Sequence, residues 1–465
     1  MTPPPNWGAP RRHVAVCAFP FATHAAPVLL LTRRIASAAP DVRFTFFNTD
    51  KSNAVLFKSA SGGSVPDNIV PHGVHDGVPE GYEFSGSPVE PVGLFLKAGE
   101  ESLRKSIEEA EEQVGMKISC LVTDAFLWFC QKIAAEKGAP WVPVWTGVAA
   151  SLASHLHTDL FRSKFGVQDE GLQGRDNEAA DMIPGFSAVR VGDLPAGIVT
   201  GDLCSPFSQM LHEMAFRLPK AAAVAINSFE GLDPDITSCL SAKLRNFLNV
   251  GPFALMLPPP ATKSDKDGCL PWLESQAPAS VTYVSFGSVA SPPPDMLVEL
   301  AEALEASQVA FLWSMNDNAQ AKLPKGFVER TGGRGKVVPW APQLALLAHP
   351  SVAAFVTHGG WNSILESIVS GVPMICLPFF GDQILNRRFI ECVWRIGIGV
   401  EGEIFTKTGM LNALKKVMAG SEEGKKMREN LRVLKQLAQE AVKADGSSTQ
   451  NFSSLMEIIT AGKES

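Results

Sequence analysis

The chain has 465 residues, enough for two or three domains at about 150 residues each. With 45% hydrophobic and 19% charged residues it can fill sizeable cores and is too apolar for disorder. Lys plus Arg is 41 and Asp plus Glu 48, so the net charge is −7, which disfavours nucleic acid and anionic membranes as partners and leaves any anionic ligand to local groups.

In chain order, Met1–Arg12 is Pro-rich and without a long apolar core; it reads as a flexible tail and not as a signal peptide. His13–Pro20 reads as a strand and Ala25–Ala36 as the helix after it. Val42–Asn48, Cys120–Phe126, Trp141–Thr146 and Ala223–Phe229 continue the strands, with helical stretches between. These runs are nearly continuous in apolar residues, as strands covered on both faces require. Gly251–Gly268 carries a triple proline and a charged, loop-forming tail. It reads as a linker between a domain of residues 1–250 and one of residues 269–465.

The alternation then restarts. Strands are predicted at Val281–Ser288, Ala310–Met315, Lys336–Pro339, Val352–Thr357 and Val372–Leu377. Pro294–Glu305 and Glu422–Lys443 are amphipathic helices, the second ended by Asp445-Gly446. The last helix is expected to pack back on the N-terminal domain. Two such series predict an α/β fold of two Rossmann-like, doubly wound parallel-sheet domains facing across a cleft. Ligands then bind at the carboxyl ends of strands. Eight cysteines form no C-x-x-C pair and several lie in apolar runs, as in a reduced, cytoplasmic chain. No segment offers the roughly 20 clean apolar residues of a membrane span.

Trp340–Gln383 is the most informative stretch: WAPQLALLAHPSVAAFVTHGGWNSILESIVSGVPMICLPFFGDQ. Strand Val352–Thr357 is followed by His358-Gly359-Gly360 and a helix from Trp361. The glycines permit a tight turn, and the helix start offers free N–H groups and a positive dipole end to a diphosphate. Asn362 and Ser363 add side-chain donors there, and His358 can donate to a second phosphate. Glu366 lies on the same helix face, where a carboxylate fits ribose hydroxyls. Trp340 offers a flat face for a base, and the Ala341 backbone can read its edge. Asp382 and Gln383 can bond sugar hydroxyls. Singly, His349, Trp361 and Glu366 have ordinary structural explanations; together the residues describe a nucleotide-sugar site.

This box resembles the signature of plant secondary-product glycosyltransferases, the UDP-glycosyltransferases of glycosyltransferase family 1. HVAVCAFPFATHAAP, DGVPEGYEF, INSFEGLDP and YVSFGSV are similar to flavonoid and anthocyanidin 3-O-glucosyltransferases in particular. The resemblance implies the two-domain GT-B fold. It implies that Trp340 stacks uracil and Ala341 bonds it, that Gln343 and Glu366 hold the ribose, and that Ser314 lines the uridine side. Ser288, His358, Asn362 and Ser363 would hold the diphosphate. Trp361, Asp382 and Gln383 would contact the sugar, with Thr146 reaching it from the other domain. A closing Gln goes with glucose more often than galactose. Gly359 departs from the commonest box, which has Cys there.

On the acceptor side, His24 follows the first strand and Asp124 ends another strand of the same sheet. A histidine base oriented by a carboxylate suits deprotonation of a phenol; the resemblance assigns the same pair. Phe19, Phe126, Trp145, Phe207 and Phe380 are candidates to line a flat aromatic slot, with His155 as a polar contact. Val89 stands where flavonoid relatives often have a Gln that holds a ring hydroxyl.

The expected activity is inverting transfer of glucose from UDP-glucose to a flavonoid hydroxyl, the 3-OH. The expected enzyme is monomeric and needs neither cofactor nor metal. Asp233-Pro-Asp235 and Asp265-Lys-Asp267 read as turns and not as manganese motifs. Another UDP-sugar, another small aromatic acceptor, or attack by carbon remain the alternatives. A nicotinamide dehydrogenase would need G-x-G-x-x-G after the first strand, where Phe19-Pro20-Phe21 stands.

Overall fold

The computed structural model describes residues 10–21, 23–60, 65–87, 89–167, 174–256, 265–287, 292–400, 405–418 and 420–461. The first sheet contains β1 (Arg12–Cys17), β2 (Val42–Asn48), β3 (Ile69–Gly73), β4 (Ile118–Asp124), β5 (Trp141–Trp145), β6 (Val224–Ile226) and β7 (Phe247–Asn249), in the order β3-β2-β1-β4-β5-β6-β7. The second contains β8 (Val281–Ser285), β9 (Ala310–Ser314), β10 (Gly335–Val338), β11 (Val352–Thr357), β12 (Met374–Cys376) and β13 (Gly397–Gly399), in the order β10-β9-β8-β11-β12-β13. All pairings within the two sheets are parallel. Strand order reverses between β1 and β4 in one sheet and between β8 and β11 in the other.

Burial explains the continuous apolar runs. In β1, Val14 and Val16 pack with Val28, Phe44 and Phe46 on one face, while Ala15 and Cys17 pack with Phe47, Ile107 and Leu121 on the other. Successive strand residues point to opposite faces, and helices cover both. The second sheet repeats the scheme: Val284 meets Leu297, Leu300 and Trp313 on one face, and Tyr283 joins Phe355, Ile364 and Leu365 on the other.

Several sequence boundaries move. β1 begins at Arg12, inside the stretch read as a tail, and it ends at Cys17. β3, β7 and β13 have no counterpart in the sequence reading. β3 is an edge strand carrying Pro71, and the other two are three residues long. Within the linker, Phe253–Met256 forms a helical turn. Asp265 accepts from the N–H groups of Cys269 and Leu270 at 2.8 and 2.9 Å, capping helix Cys269–Glu274.

The terminal helix Ser447–Thr460 returns to the first sheet. Leu455 and Ile459 enter the core around Val14 and Phe44, and the Arg34 guanidinium lies 3.6 Å from the centre of the Phe452 ring. Polar contacts between side chains and the opposite domain join the halves elsewhere. Trp361 Nε1 donates to Asn227 O at 2.9 Å, Trp394 Nε1 to Asp233 Oδ1 at 2.8 Å, and Arg388 Nε to Asp193 Oδ2 at 2.6 Å. The Asp233 carboxyl is thus an indole acceptor at the domain seam.

Burial raises Asp233 from 3.8 to about 7 against the opposing hydrogen bond from Trp394. The folded state then binds a proton that the unfolded chain has released, so this carboxyl loses the chain stability as pH rises from about 4 to about 7. Asp233→Asn should flatten that slope. Thermal melts across this range check it; an unchanged slope would show that Asp233 is ionised throughout.

Candidate active site

His24, Asp124 and Thr146 stand at the carboxyl ends of β1, β4 and β5, on both sides of the first switch point. His24 Nδ1 lies 2.9 Å from Asp124 Oδ2 and 3.0 Å from Thr146 Oγ1. Asp124 Oδ1 accepts the Phe126 N–H at 2.9 Å. The Asp124 side chain is 1% exposed and that of His24 17%. A buried carboxylate is the strongest acceptor here, so the geometry places the proton on Nδ1 and leaves Nε2 as the basic atom. Thr146 shares the same nitrogen, so the residue expected to reach a sugar is also part of the histidine's support.

Four of the five aromatic candidates gather around this imidazole, and Phe380 makes no ring contact with them among the described residues. Phe126 is the hub, with ring centres 4.3 Å from His24, 5.4 Å from Phe19, 5.9 Å from Trp145 and 5.8 Å from Phe207. Trp145 in turn meets His155 edge-on at 6.1 Å. Phe19, Trp145 and His155 are buried, so they shape the wall from within; Phe207, Phe380 and Val89 are exposed. Burial lowers His155 to about 4, which keeps it neutral near pH 7. Phe21 and Phe95 extend the cluster through Phe19. They escaped the sequence reading because a lone Phe in a loop or on a helix face has no distinguishing spacing.

The second domain presents His358 after β11, beside the loop that follows β8. A Cβ added at Gly287 would stand 3.1 Å from His358 Cε1, so the ring packs directly on that backbone. Burial pulls His358 down to about 4. It is therefore a neutral donor near pH 7, and its Nδ1 is buried with no partner among the described residues. Helix Trp361–Ser370 starts next to it from extended Gly360, which gives no side-chain cap. The N–H groups of Trp361, Asn362 and Ser363 have no acceptor within the helix and can serve an anion.

Behind the helix start, Gln343 Nε2 donates to Ser363 Oγ at 2.9 Å and to Glu366 Oε2 at 2.7 Å, while Tyr283 OH donates to Gln343 Oε1 at 3.3 Å. Burial raises the Glu366 carboxyl and the Gln343 bond opposes this. Hydroxyl donors from a ligand would favour its charged form further. Tyr283, unnoticed in the sequence, connects this set to Ser314, which aligns with Ser285 across β8 and β9. Trp340 is 53% exposed after β10 and offers an open face, followed by buried Ala341.

Two sugar candidates behave differently from the simplest expectation. Trp361 is 4% exposed and its indole is turned to Asn227 of the first domain, so its backbone N–H is what it offers a ligand. Gln383 is buried, and its Oε1 accepts from Phe379 N at 2.8 Å and Phe380 N at 3.2 Å, which leaves the amide nitrogen to donate. Ser288 lies outside the described residues. Among the described residues, no three His, Cys, Asp or Glu side chains converge as metal ligands would.

Comparison with known proteins is consistent over nearly the whole chain. The profile of the UDP-glucoronosyl and UDP-glucosyl transferase family matches residues 93–441. An anthocyanidin 3-O-glucosyltransferase of Vitis vinifera is 51% identical, covering 97% of this chain and 98% of that protein. An anthocyanidin 3-O-galactosyltransferase of Actinidia chinensis var. chinensis is 50% identical, with 96% and 97% covered. Among solved structures, a UDP-glucose: anthocyanidin 3-O-glucosyltransferase in complex with UDP superposes with a TM-score of 0.91 at 40% identity, covering 98% of this chain and 100% of that one. The facing-sheet architecture is therefore that of the GT-B glycosyltransferases.

The glycine at 359 has its own steric reason. Its φ is +79°, and an added Cβ would stand 2.6 Å from Cys376 Sγ. Gly359→Ala should cost about 1–3 kcal/mol of stability from strain and contact together. In a double-mutant cycle, Cys376→Ala should recover the contact part only. Strict additivity in denaturant titrations would show that no contact exists.

Proposed function

Because the chain belongs to the UDP-glucoronosyl and UDP-glucosyl transferase family, we propose that it transfers glucose from UDP-glucose, with inversion, to the 3-hydroxyl of a flavonol or anthocyanidin. The observation that carries this reading is the His24–Asp124 pair set in an aromatic cluster, with an uncapped helix start in the second domain. A glycosyl acceptor, a base and a diphosphate-binding end are the three things the transfer needs.

Asp124 fixes the His24 tautomer, and Nε2 takes the phenolic proton as the oxygen attacks the anomeric carbon. The bond to the diphosphate breaks on the opposite face, so an α-linked donor yields a β-glucoside. The departing charge falls on the N–H groups at Trp361–Ser363 and on neutral His358. Trp340 stacks the uracil, Ala341 bonds its edge, Gln343 and Glu366 hold the ribose, and Asp382, Gln383 and Thr146 hold the hexose. Ser288 and Ser314 complete the diphosphate and uridine contacts. Since backbone N–H groups and side chains supply the compensation, no metal is required and activity should survive chelation. The flavonoid lies on Phe126, Phe207 and Phe380, with Val89 at the rim.

A base paired to Asp124 favours attack by oxygen over attack by carbon. Galactose is the second reading for the donor, since a relative as similar as 50% is a galactosyltransferase. Among the described residues, no helix is long and apolar enough to cross a membrane. The proposed setting is the cytoplasm, as a monomer.

Incubation with UDP-glucose or UDP-galactose and a flavonoid panel, with products identified by mass and NMR, tests the assignment; absence of any glycoside would refute it. His24→Ala should lower kcat by about 10²–10⁴ while the Kd for UDP changes little. A parallel loss of UDP binding would remove His24 from the role of base. Val89→Gln should shift acceptor preference more than the KM for the donor; equal shifts would place Val89 away from the acceptor.

A further inference from the structure

Asn386 is a buried residue of helix Gln383–Arg388, one turn after Asp382, and its backbone N–H bonds Asp382 O at 2.9 Å. Its side-chain Nδ2 donates to Gly359 O at 2.8 Å. Gly359 is the left-handed residue between His358 and the helix start, so the amide is fastened to the phosphate turn. Burial raises the Asp382 carboxyl, and the Asn386 amide and the Val148 N–H beside it oppose this. A Cβ at Gly147 would stand 3.0 Å from Asp382 Oδ2, so this carboxylate rests on the first domain's 147–148 backbone. Val148 O in turn accepts from Trp145 Nε1 at 2.9 Å, and Trp145 borders Phe126 beside His24.

These contacts form one continuous line from the aromatic wall to the phosphate turn: Trp145, Val148, Asp382, Asn386, Gly359. Asn386 Oδ1 is buried and has no partner among the described residues. Both useful contacts of this side chain are therefore made as a donor. Turning the amide over would place Oδ1 against the Gly359 carbonyl and the carboxylate, where it can only repel. An unpaired buried oxygen is kept in exchange for a nitrogen that donates to the phosphate turn.

We propose that Asn386 is a positioning residue for the transferred hexose: its amide holds Asp382 at a fixed offset from the phosphate turn, so that the sugar, pinned at its diphosphate, presents C1 to the acceptor oxygen. Asn386 itself touches neither substrate. The inference rests on the proposed function insofar as Asp382 bonds the sugar. It extends that reading, because it accounts for how two contact sites on different loops keep a common register. Register errors of an ångström at a reacting centre cost rate more than binding.

Asn386→Asp keeps the shape and replaces both donors by acceptors; Asn386→Ser keeps one short donor and no charge. In the intact enzyme, the Kd for UDP should change less than the Kd for UDP-glucose in both variants, because Asn386 contacts neither the uridine nor the diphosphate. The tighter binding of UDP-glucose relative to UDP should shrink, kcat for transfer should fall at least about tenfold in Asn386→Asp, and hydrolysis of UDP-glucose should rise relative to transfer. Serine should fall between the aspartate variant and the parent. A proportional loss of UDP affinity, or an unchanged ratio of hydrolysis to transfer, overturns the proposal. So does failure of both variants to fold, which assigns Asn386 to the fold alone. The comparison of UDP-glucose with UDP needs no acceptor, so a wrong flavonoid assignment leaves it standing; a parent enzyme that does not distinguish the two ligands refutes the donor reading instead.

Discussion

Every strand of both sheets runs parallel to its neighbours, and the rest of the structure depends on that constraint. Parallel strands send all their carboxyl ends to one edge, and each sheet opens a crevice where the strand order reverses. In the first sheet that crevice receives the loop of His24 and the end of Asp124. In the second it receives Gly287 and His358. Residues 100 positions apart in the chain meet at 2.9 Å because topology brings their loops together before any side chain is chosen.

The electrostatic character of the site follows from the same arrangement. The loops and helices at this edge sit over packed cores, so titratable groups there lose water. His358 and His155 are held neutral, and the Glu366 and Asp382 carboxyls are pushed up. Neutral His358 near a helix start can donate without adding charge, and carboxylates short of solvent recover their charged form by accepting from hydroxyls. A polyhydroxylated, anionic ligand supplies both demands at once. The domain seam is built differently, from one apolar cluster running between the domains and a few polar contacts made by Trp361, Trp394 and Arg388.

Much of this was legible in the sequence. Long apolar strands such as Val42–Asn48 and Val352–Thr357 coincide with their predicted spans, because burial on both faces leaves an unambiguous run. The helix at Trp361 was marked by the glycine pair before it. What escaped was set by tertiary contact: three-residue strands such as Gly397–Gly399, too short for any periodicity, and Tyr283 and Asn386, whose partners lie 60 and 27 residues away. Of the two aspartate triplets, Asp265-Lys-Asp267 is the turn its sequence suggests and Asp265 caps a helix start, whereas Asp233-Pro-Asp235 opens helix Pro234–Lys243 and Asp233 accepts from Trp394. The indole of Trp361 shows the limit of motif reading: spacing located the residue, but only packing shows that its ring turns to the other domain.

That ring has one more consequence. Two of the chain's nine tryptophans, Trp361 and Trp394, lie together at the seam, their ring centres 6.3 Å apart, each donating to the opposite domain. Swinging the halves apart strips both indoles of their acceptors and wets them. The molecule thus carries an intrinsic optical gauge of its own hinge angle, readable in the colour of its ultraviolet emission without any attached dye.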